Sequence, residues 1–479
     1  SSISNGISIG SNGLNITTGS TVDKIRSDAS FLVLEGDNVI LRNCGGTEDY
    51  GKFQENGAVL LYHDNVQKFE TTSAGITVNG SISSKGYCSD VNNNTFLGTN
   101  ALDNSQSQTC NTAIGCGALE CNATGHTNVA VGARAIGTGD DGCYNVAVGE
   151  GSLCKVTGND NVAIGRSAMR NNTSGIGNTA VGRLALLSNT TASQNVGVGC
   201  AAGCSTTTGF RNTAVGNESL RANTIGCYNV TVGDRTLQTA VTASYNTAVG
   251  ASASFCNTTG CKTTAIGFQT LFKNTEGVLN TAVGANSLVC NTTGLGNTAV
   301  GESSLGCNCT DNYSTAVGYL SLRCSTGARN VGIGVSAGCR NSGACNTFLG
   351  YEAGRFNCEG NRVTALGYQA LGSACNCANN NTAVGALTLR SNTTGAGNQA
   401  FGYQSLECNT TGCLNTTVGQ TALHQNTTGN FNIGIGSSAA SGNCTGHCNT
   451  SIGTNAGRAN TSGGCNISIG PLAARCGNG

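Results

Sequence analysis

Hydrophobic and polar residues alternate in short segments that recur along most of this chain. From residue 94 onward one unit repeats, and it reads N-T-A-V-G-x-x-x-L-x-x-N-T-T-G-x-x, as residues 178–194, 280–296 and 415–431 show. There are 23 copies, of which 20 begin with Asn, and Gly occupies the fifth position in every copy. Alternation of this kind is typical of a short β-strand with one buried face. The sequence therefore predicts one such strand at the start of each unit.

Each position of the unit has an expected place in a stacked coil. Side chains two residues apart share one face of a strand, so we expect positions two and four to point inward and the small residue at position three to point outward. The Leu at position nine is expected to enter the same interior from a second short strand. Gly at position five predicts a corner with positive φ, and N-T-T-G predicts a turn. The opening Asn side chains are expected to stack in a hydrogen-bonded ladder.

A unit of this size cannot bury its own apolar residues, whereas stacked copies can. We therefore predict an all-β fold, a parallel β-solenoid or β-roll of about 23 short coils in residues 91–479, preceded by a small β domain. With a spacing of about 4.8 Å between coils, the solenoid is expected to be on the order of 110 Å long.

The N-T-A-V-G unit, followed by small residues and Leu, resembles the head repeats of trimeric autotransporter adhesins. It is also similar to N-T-A-V-G repeats of phage and giant-virus tail-fibre-like proteins. The resemblance covers the chain from Asn94 to its end. It implies a parallel β-roll, often trimeric, in an extracellular fibre. The adhesin repeats are usually shorter and seldom contain Cys, so this chain departs from them in both respects.

The first ninety residues follow a different pattern, which predicts a small all-β domain in residues 20–90. Residues 57–82 resemble segments that join or cap the repeats of phage tail-fibre proteins, and an ordinary β meander is the other interpretation. Short strands are predicted at residues 31–35, 39–42, 58–62, 67–70 and 76–78.

Residues 1–19 resemble one detached repeat, because N-G-I-S-I-G and a later Leu and N-I-T-T-G follow the order of the unit. We hypothesise that this segment of one subunit stacks on the last coil of the next subunit, which makes an open head-to-tail filament. The alternative is that it forms the first coil of its own chain. The residues expected at the subunit contact are Asn5, Ile7, Ile9, Leu14, Ile467 and Ile469.

Charge and composition argue against several classes of function. The 24 basic and 24 acidic residues cancel, which argues against a nucleic-acid partner, and no stretch of about 20 apolar residues predicts a membrane span. The four His lie in unrelated registers, and carboxylates are too sparse for acid–base catalysis. We expect no enzymatic activity, no metal and no cofactor apart from possible N-linked glycans. The motifs Cys307-x-Cys309 and Cys375-x-Cys377 are weak matches to metal-ligand spacing.

The chain contains 27 Cys, which indicates an oxidising compartment and therefore a secreted, extracellular protein. Three intervals recur between cysteines, and the longest equals one repeat, which places two of them one above the other in a stack. The odd total leaves at least one Cys free or bonded to another subunit. The candidate disulfide cysteines, paired by these intervals, are Cys110/Cys121, Cys143/Cys154, Cys256/Cys261, Cys290/Cys307, Cys358/Cys375, Cys408/Cys413 and Cys465/Cys476.

The N-T-T turn is also an acceptor triplet for N-linked glycans. The other interpretation is that Asn, Thr and Gly are present only because they form turns. The candidate glycosylation sites are Asn122, Asn172, Asn189, Asn257, Asn291, Asn308, Asn392, Asn409, Asn426, Asn443 and Asn460.

These features predict a structural subunit of a secreted filament, a homopolymer that assembles head to tail and is stabilised by disulfides and N-glycans. The alternative is a trimeric adhesin or viral tail fibre that binds a cell-surface or glycan receptor. Ice binding by the recurrent Thr of position two is set aside, because those Thr are expected to face the interior.

Overall fold

The computed structural model is all-β in the part of the chain that it describes and divides into two units, residues 1–82 and 83–479. No helix occurs among the described residues. These are residues 38–42, 47–54, 58–64, 66–72, 75–78, 87–89, 92–103, 108–138, 141–372 and 375–474.

The first unit contains a five-stranded antiparallel sheet in which each strand pairs with the next along the chain. This order is that of a β meander. The strand β2 was not predicted from the sequence, and the predicted strand at 31–35 lies outside the described residues. The strands are β1 (Asn38–Arg42), β2 (Asp49–Gln54), β3 (Val59–His63), β4 (Val66–Thr72) and β5 (Gly75–Val78).

The second unit is a parallel β-solenoid, as the repeats predict. It opens with β6 (Tyr87–Ser89), which pairs antiparallel with β7, and from β7 to β29 each strand pairs in parallel with the strand of the next coil. In the described chain each coil contains one short strand, and successive strands begin about one repeat unit apart. The strands are β7 (Thr95–Leu97), β8 (Thr112–Ile114), β9 (Val129–Val131), β10 (Val146–Val148), β11 (Val162–Ile164), β12 (Thr179–Val181), β13 (Val196–Val198), β14 (Thr213–Val215), β15 (Val230–Val232), β16 (Thr247–Val249), β17 (Thr264–Ile266), β18 (Thr281–Val283), β19 (Thr298–Val300), β20 (Thr315–Val317), β21 (Val331–Ile333), β22 (Thr347–Leu349), β23 (Thr364–Leu366), β24 (Thr382–Val384), β25 (Gln399–Phe401), β26 (Thr416–Val418), β27 (Ile433–Ile435), β28 (Thr450–Ile452) and β29 (Ile467–Ile469).

The faces of these strands are reversed relative to the sequence prediction. In β18, Ala282 is fully buried, whereas Thr281 and Val283 on either side of it are half-buried on the outer face. The same pattern recurs along the ladder, with the small residue of position three inside. The prediction that positions two and four point inward is therefore wrong, and so is the argument that used inward Thr to set ice binding aside.

The interior explains why position three must be small. A Cβ atom on Gly197, at position three, would lie 2.9 Å from Cγ of Leu186 in the preceding coil. The Leu of position nine therefore packs directly over the strand of the next coil. Since the coil is narrow, a Leu from one wall leaves room for only an Ala on the other.

The Leu of position nine does not come from a second strand, as the sequence had suggested. It lies in a turn segment, and Leu288, for example, has a φ of 50°. The corner at position five is as predicted. Gly284 has a φ of 120°, and a Cβ atom there would lie 2.7 Å from the carbonyl carbon of Gly301 in the next coil. Conformation and space both require Gly at this corner.

Candidate functional surfaces

The opening Asn side chains form the ladder that the sequence predicts. The amide nitrogen of Asn128 donates to Oδ1 of Asn111 at 2.8 Å, and Asn145 donates in the same way to Asn128 at 2.9 Å. The Nδ2 group of each Asn donates to a carbonyl of a turn, as Asn111 does to Gly125 at 2.9 Å. This polar column is buried but hydrogen-bonded, as buried polar groups need to be.

A second ladder runs through the Asn of the N-T-T-G turns. Asn257 donates from Nδ2 to the carbonyl of Gly260 at 2.9 Å and accepts the amide of Gly260 at the same distance. Its Oδ1 also accepts Nδ2 of Asn274, one coil further on, at 3.2 Å. These Asn at position twelve therefore close each turn and connect it to its neighbour.

The rest of the turn serves coil stacking as well. The hydroxyl of Thr258 donates to the carbonyl of Thr275 in the next coil at 3.1 Å, and the same bond recurs in other coils. A Cβ atom on Gly260 would lie 2.5 Å from the carbonyl oxygen of Gly277, so the fifteenth position is restricted to a residue with little bulk. Every residue of N-T-T-G except the second Thr thus has an observed structural role.

The predicted glycosylation sites are incompatible with this arrangement. An N-linked glycan is bonded to Nδ2, and these Nδ2 groups donate hydrogen bonds inside the solenoid. Ten of the eleven candidates are no more than 1% exposed and Asn460 is half-buried. These are the corrected sites: Asn122, Asn172, Asn189, Asn257, Asn291, Asn308, Asn392, Asn409, Asn426, Asn443 and Asn460.

The sequence held a signal that could have prevented this error. Asn also occupies position twelve in coils where no acceptor triplet follows, for example Asn223, Asn274 and Asn357, and each of these is fully buried. Acceptor triplets also begin at the exposed residues Asn217 and Asn380, which lie outside the ladder. The recurrent feature is therefore the Asn itself and not the triplet.

The candidate disulfide cysteines divide by interval. Cys358 and Cys375, whose sequence separation of 17 is one repeat, form a disulfide between neighbouring coils with a Cα–Cα distance of 5.6 Å. The candidate pairs at the two shorter intervals are not bonded in the described chain, and Cys476 lies outside the described residues. The candidates that carry free thiols are Cys110, Cys121, Cys143, Cys154, Cys256, Cys261, Cys290, Cys307, Cys408, Cys413 and Cys465.

Thiols at position sixteen have hydrogen-bond partners that keep them away from position eleven. The sulfur of Cys261 accepts the backbone N–H of Ser244 at 3.3 Å, and that of Cys413 accepts the N–H of Ala396 at the same distance. In other coils an Asn or Ser side chain accepts the equivalent N–H, as Asn312 does from Leu295 at 2.8 Å. These cysteines therefore substitute for polar side chains in the ladder.

Only part of the predicted subunit contact can be located. Ile467 and Ile469 lie on β29 and are 75% and 66% exposed, the highest values among the outward residues of the ladder. Asn5, Ile7, Ile9 and Leu14 lie outside the described residues.

The outer face of the strands is an apolar surface that the sequence interpretation placed inside. At position four the ladder from β7 to β29 carries Val, Ile or Leu in every coil except that of Phe401. Side chains such as Ile164, Ile266 and Leu349 leave 40–41% of their surface accessible. Position two adds a parallel column in which Thr is the commonest residue. This outer strand face is a continuous stripe along the solenoid.

Aromatic side chains form shorter columns beside the strands. Tyr351 and Tyr368, at position six of neighbouring coils, stack with ring centroids 5.4 Å apart. Tyr228 and Tyr245, at position seventeen, stack at 5.0 Å. These rings are spaced by the coil repeat and present flat apolar surface with a polar hydroxyl edge.

Comparisons with protein-family models, with curated protein sequences and with solved structures find no match to this chain. Within the described residues, no three or more His, Cys, Asp or Glu side chains are grouped so that they could hold a metal ion. Nor does that part of the chain contain a helix of the length and hydropathy needed to cross a membrane. A shallow groove beside Phe210 and Arg211 is lined mainly by Thr, Ser and Gln side chains and contains no carboxylate, imidazole or thiol.

Proposed function

We propose that this protein is a structural subunit of an extracellular fibre and that its copies join end to end. A β-solenoid of this regularity is consistent with a structural or fibrous protein. The observation that carries the proposal is the in-register parallel ladder, in which β29 pairs only with β28 among the described strands. Such an edge accepts another strand by β-augmentation. A coil of similar sequence, such as residues 1–19, would continue every side-chain column.

Secretion belongs to the same proposal and is supported by the cysteine content. A chain with 27 Cys and an intercoil disulfide at Cys358 and Cys375 suits an oxidising compartment. Glycans have no place at position twelve in the folded chain. If the fibre passes through a glycosylating pathway, we expect them at exposed triplets such as those of Asn217 and Asn380.

The test compares two matched double substitutions in the full chain. I467D/I469D places two carboxylates on the edge strand β29. I433D/I435D places them on the same face of β27, where both Ile are 38% exposed and the strand is covered by β26 and β28. End-to-end assembly predicts filaments from the wild type and from I433D/I435D, but at least a tenfold higher critical concentration for I467D/I469D, by electron microscopy and light scattering.

Two results would contradict the proposal. The first is unchanged assembly of I467D/I469D together with filaments of normal length from a chain that lacks residues 1–19. The second is loss of assembly in I433D/I435D alone, since that variant leaves the edge strand intact and alters only the side of the solenoid.

The outer strand face favours a second candidate, a trimeric adhesin or tail fibre. The stripe is about 110 Å long and about 10 Å wide, which amounts to on the order of 1,000 Å² and exceeds the roughly 800 Å² that each partner buries in a standard interface. Three solenoids that pack through this face would bury the aliphatic column and leave the aromatic columns free for a cell-surface or glycan receptor. Discrete threefold rods that dissociate in I433D/I435D and persist in I467D/I469D would select this function.

A further inference from the structure

Three cysteines occupy position eleven of three successive coils, namely Cys290, Cys307 and Cys324. Backbone hydrogen bonds hold these coils in register, since Cys290 donates its N–H to the carbonyl of Gly306 at 3.2 Å and Cys307 donates to that of Arg323 at 2.7 Å. Each of the two acceptors directly precedes the next cysteine of the column. All three thiols are at least partly accessible. We call these three residues the thiol column.

The closest approach in the column is between the second and third thiols. Sγ of Cys307 lies 3.3 Å from Sγ of Cys324. That distance is a thiol–thiol contact, longer than a disulfide bond of about 2.0 Å. The disulfide between Cys358 and Cys375 shows that the coil spacing admits such a bond, because it also joins neighbouring coils across a sequence separation of 17.

We propose that Cys307 and Cys324 form an intercoil disulfide under oxidising conditions and that Cys290 keeps a free thiol beside it. This bond differs from the pairing of Cys290 with Cys307 that the residue intervals suggest. Cys324 has no second neighbour in register, because Arg340 occupies position eleven of the next coil and Cys339 lies one position earlier. The contact between Cys307 and Cys324 is therefore the pair that the geometry selects.

The bond forms by thiol–disulfide exchange with a small disulfide such as oxidised glutathione. The thiolate of one cysteine attacks a glutathione sulfur, which gives a mixed disulfide and releases one glutathione thiolate. The thiolate of the second cysteine then attacks the protein sulfur of the mixed disulfide and releases the second glutathione. The two thiol protons of the protein end on the two glutathione molecules, so the glutathione disulfide is reduced as the protein is oxidised.

The bond can be mapped directly in the full chain. The protein is incubated with oxidised glutathione, free thiols are alkylated, and the chain is cleaved after Lys, Arg and Glu. Cys290 then lies in peptide 277–302, Cys324 in peptide 324–329, and Cys307 shares peptide 303–323 with Cys309. We expect peptide 303–323 to be joined to 324–329 and peptide 277–302 to be alkylated.

Serine variants identify the sulfur atoms, and the wild-type map stands whether or not each variant folds. The linked peptide should fall to background in C307S and C324S and remain in C309S and C290S. Three results would overturn the proposal. These are a link that survives in C307S, which would make Cys309 the partner, a sole link between 277–302 and 303–323, and full alkylation of all three peptides after oxidation.

Discussion

At the scale of single residues, buried Asn determines how the turns are built. Asn257 satisfies a backbone amide and a carbonyl of its own turn and an amide group of the next coil. The bond from Nδ2 to the turn carbonyl recurs at the equivalent Asn of other coils, as at Asn409 and Asn426. One short side chain thus replaces the backbone partners that a longer strand would supply. The abundance of Asn in the chain follows from this arrangement.

Replacing a position-twelve Asn should therefore destabilise the solenoid locally. We expect Asn257→Ala to cost about 1–3 kcal/mol, because it leaves the buried amide and carbonyl of Gly260 without partners. Asn217→Ala is the matched control, since Asn217 is exposed at position six and should cost less than about 0.5 kcal/mol. Hydrogen exchange of amides in the coils around each site measures the loss. Equal protection in both variants would contradict the role assigned to Asn257.

Thiol reactivity is a second property set by local surroundings. Burial, together with the hydrogen bond to Cys324, raises the pKa of the Cys307 thiol to about 11, well above the usual range for a free thiol. Since the thiolate is the nucleophile, alkylation of Cys307 should accelerate about tenfold per pH unit up to about pH 11.

The measurement is the alkylation rate in a C309S background, so that peptide 303–323 reports on Cys307 alone. In C324S the hydrogen bond and the neighbouring thiol are both lost, which lowers the pKa of Cys307 and should raise its rate at pH 8. A rate that levels off at pH 9 in the parent protein would show that the thiol is not protected in this way.

At the scale of the coil, the interior is a set of matched sizes. The coil that begins at residue 346 carries the fully buried Phe348 where other coils carry Ala, and Gly338 and Gly354 take the place of Leu above and below it. A Cβ atom on Gly338 would lie 2.5 Å from Cδ2 of Phe348, and one on Gly354 would meet the same ring. One large residue at position three is thus accommodated by two missing Leu side chains.

This exchange can be reversed by substitution. Phe348→Ala alone should cost about 3–5 kcal/mol, because it leaves a cavity that its small neighbours cannot fill. The triple variant F348A/G338L/G354L restores the common pattern of Ala and Leu, and Leu at position nine already adopts the required positive φ in other coils. We expect the triple variant to recover most of the loss.

Urea unfolding followed by local hydrogen exchange gives the comparison, with G354L alone as the control that should clash with the Phe348 ring. A triple variant no more stable than F348A would contradict the idea that the two positions trade volume. It would mean that the ring of Phe348 has a further role.

At the scale of the whole solenoid, each coil contacts mainly its two neighbours. A deletion of one full coil should therefore be tolerated. Removal of residues 178–194 joins Gly177 to Asn195 and keeps every column in register. The solenoid should fold and shorten by about 4.8 Å. Removal of residues 178–185 deletes half a coil, sets Leu186 against the wrong wall and should abolish ordered stacking.

Small-angle scattering and circular dichroism distinguish the two deletions, and the wild-type chain is the reference for both. Equal damage from both deletions would show that the coils are coupled over longer distances than a nearest-neighbour stack permits.

Several features could be predicted from the sequence because they follow from the repeat itself. The length of the unit determines the coil, and the Gly at position five determines the corner, as the φ of 120° at Gly284 illustrates. The recurrence of Asn111, Asn128 and Asn145 one coil apart predicted their ladder, since in-register stacking places identical residues next to each other. These inferences depend on periodicity and backbone conformation, which are local properties.

Which face of the strand is buried depended on the tertiary structure. Alternation shows that Thr281 and Val283 share one face and Ala282 takes the other, but it does not say which face meets the interior. The width of the coil settles that question, because Leu288 enters from the opposite wall and leaves space only for Ala. The Asn of each N-T-T-G turn is likewise inside because the turn folds over it, and only the folded coil distinguishes a buried amide from a surface glycan site.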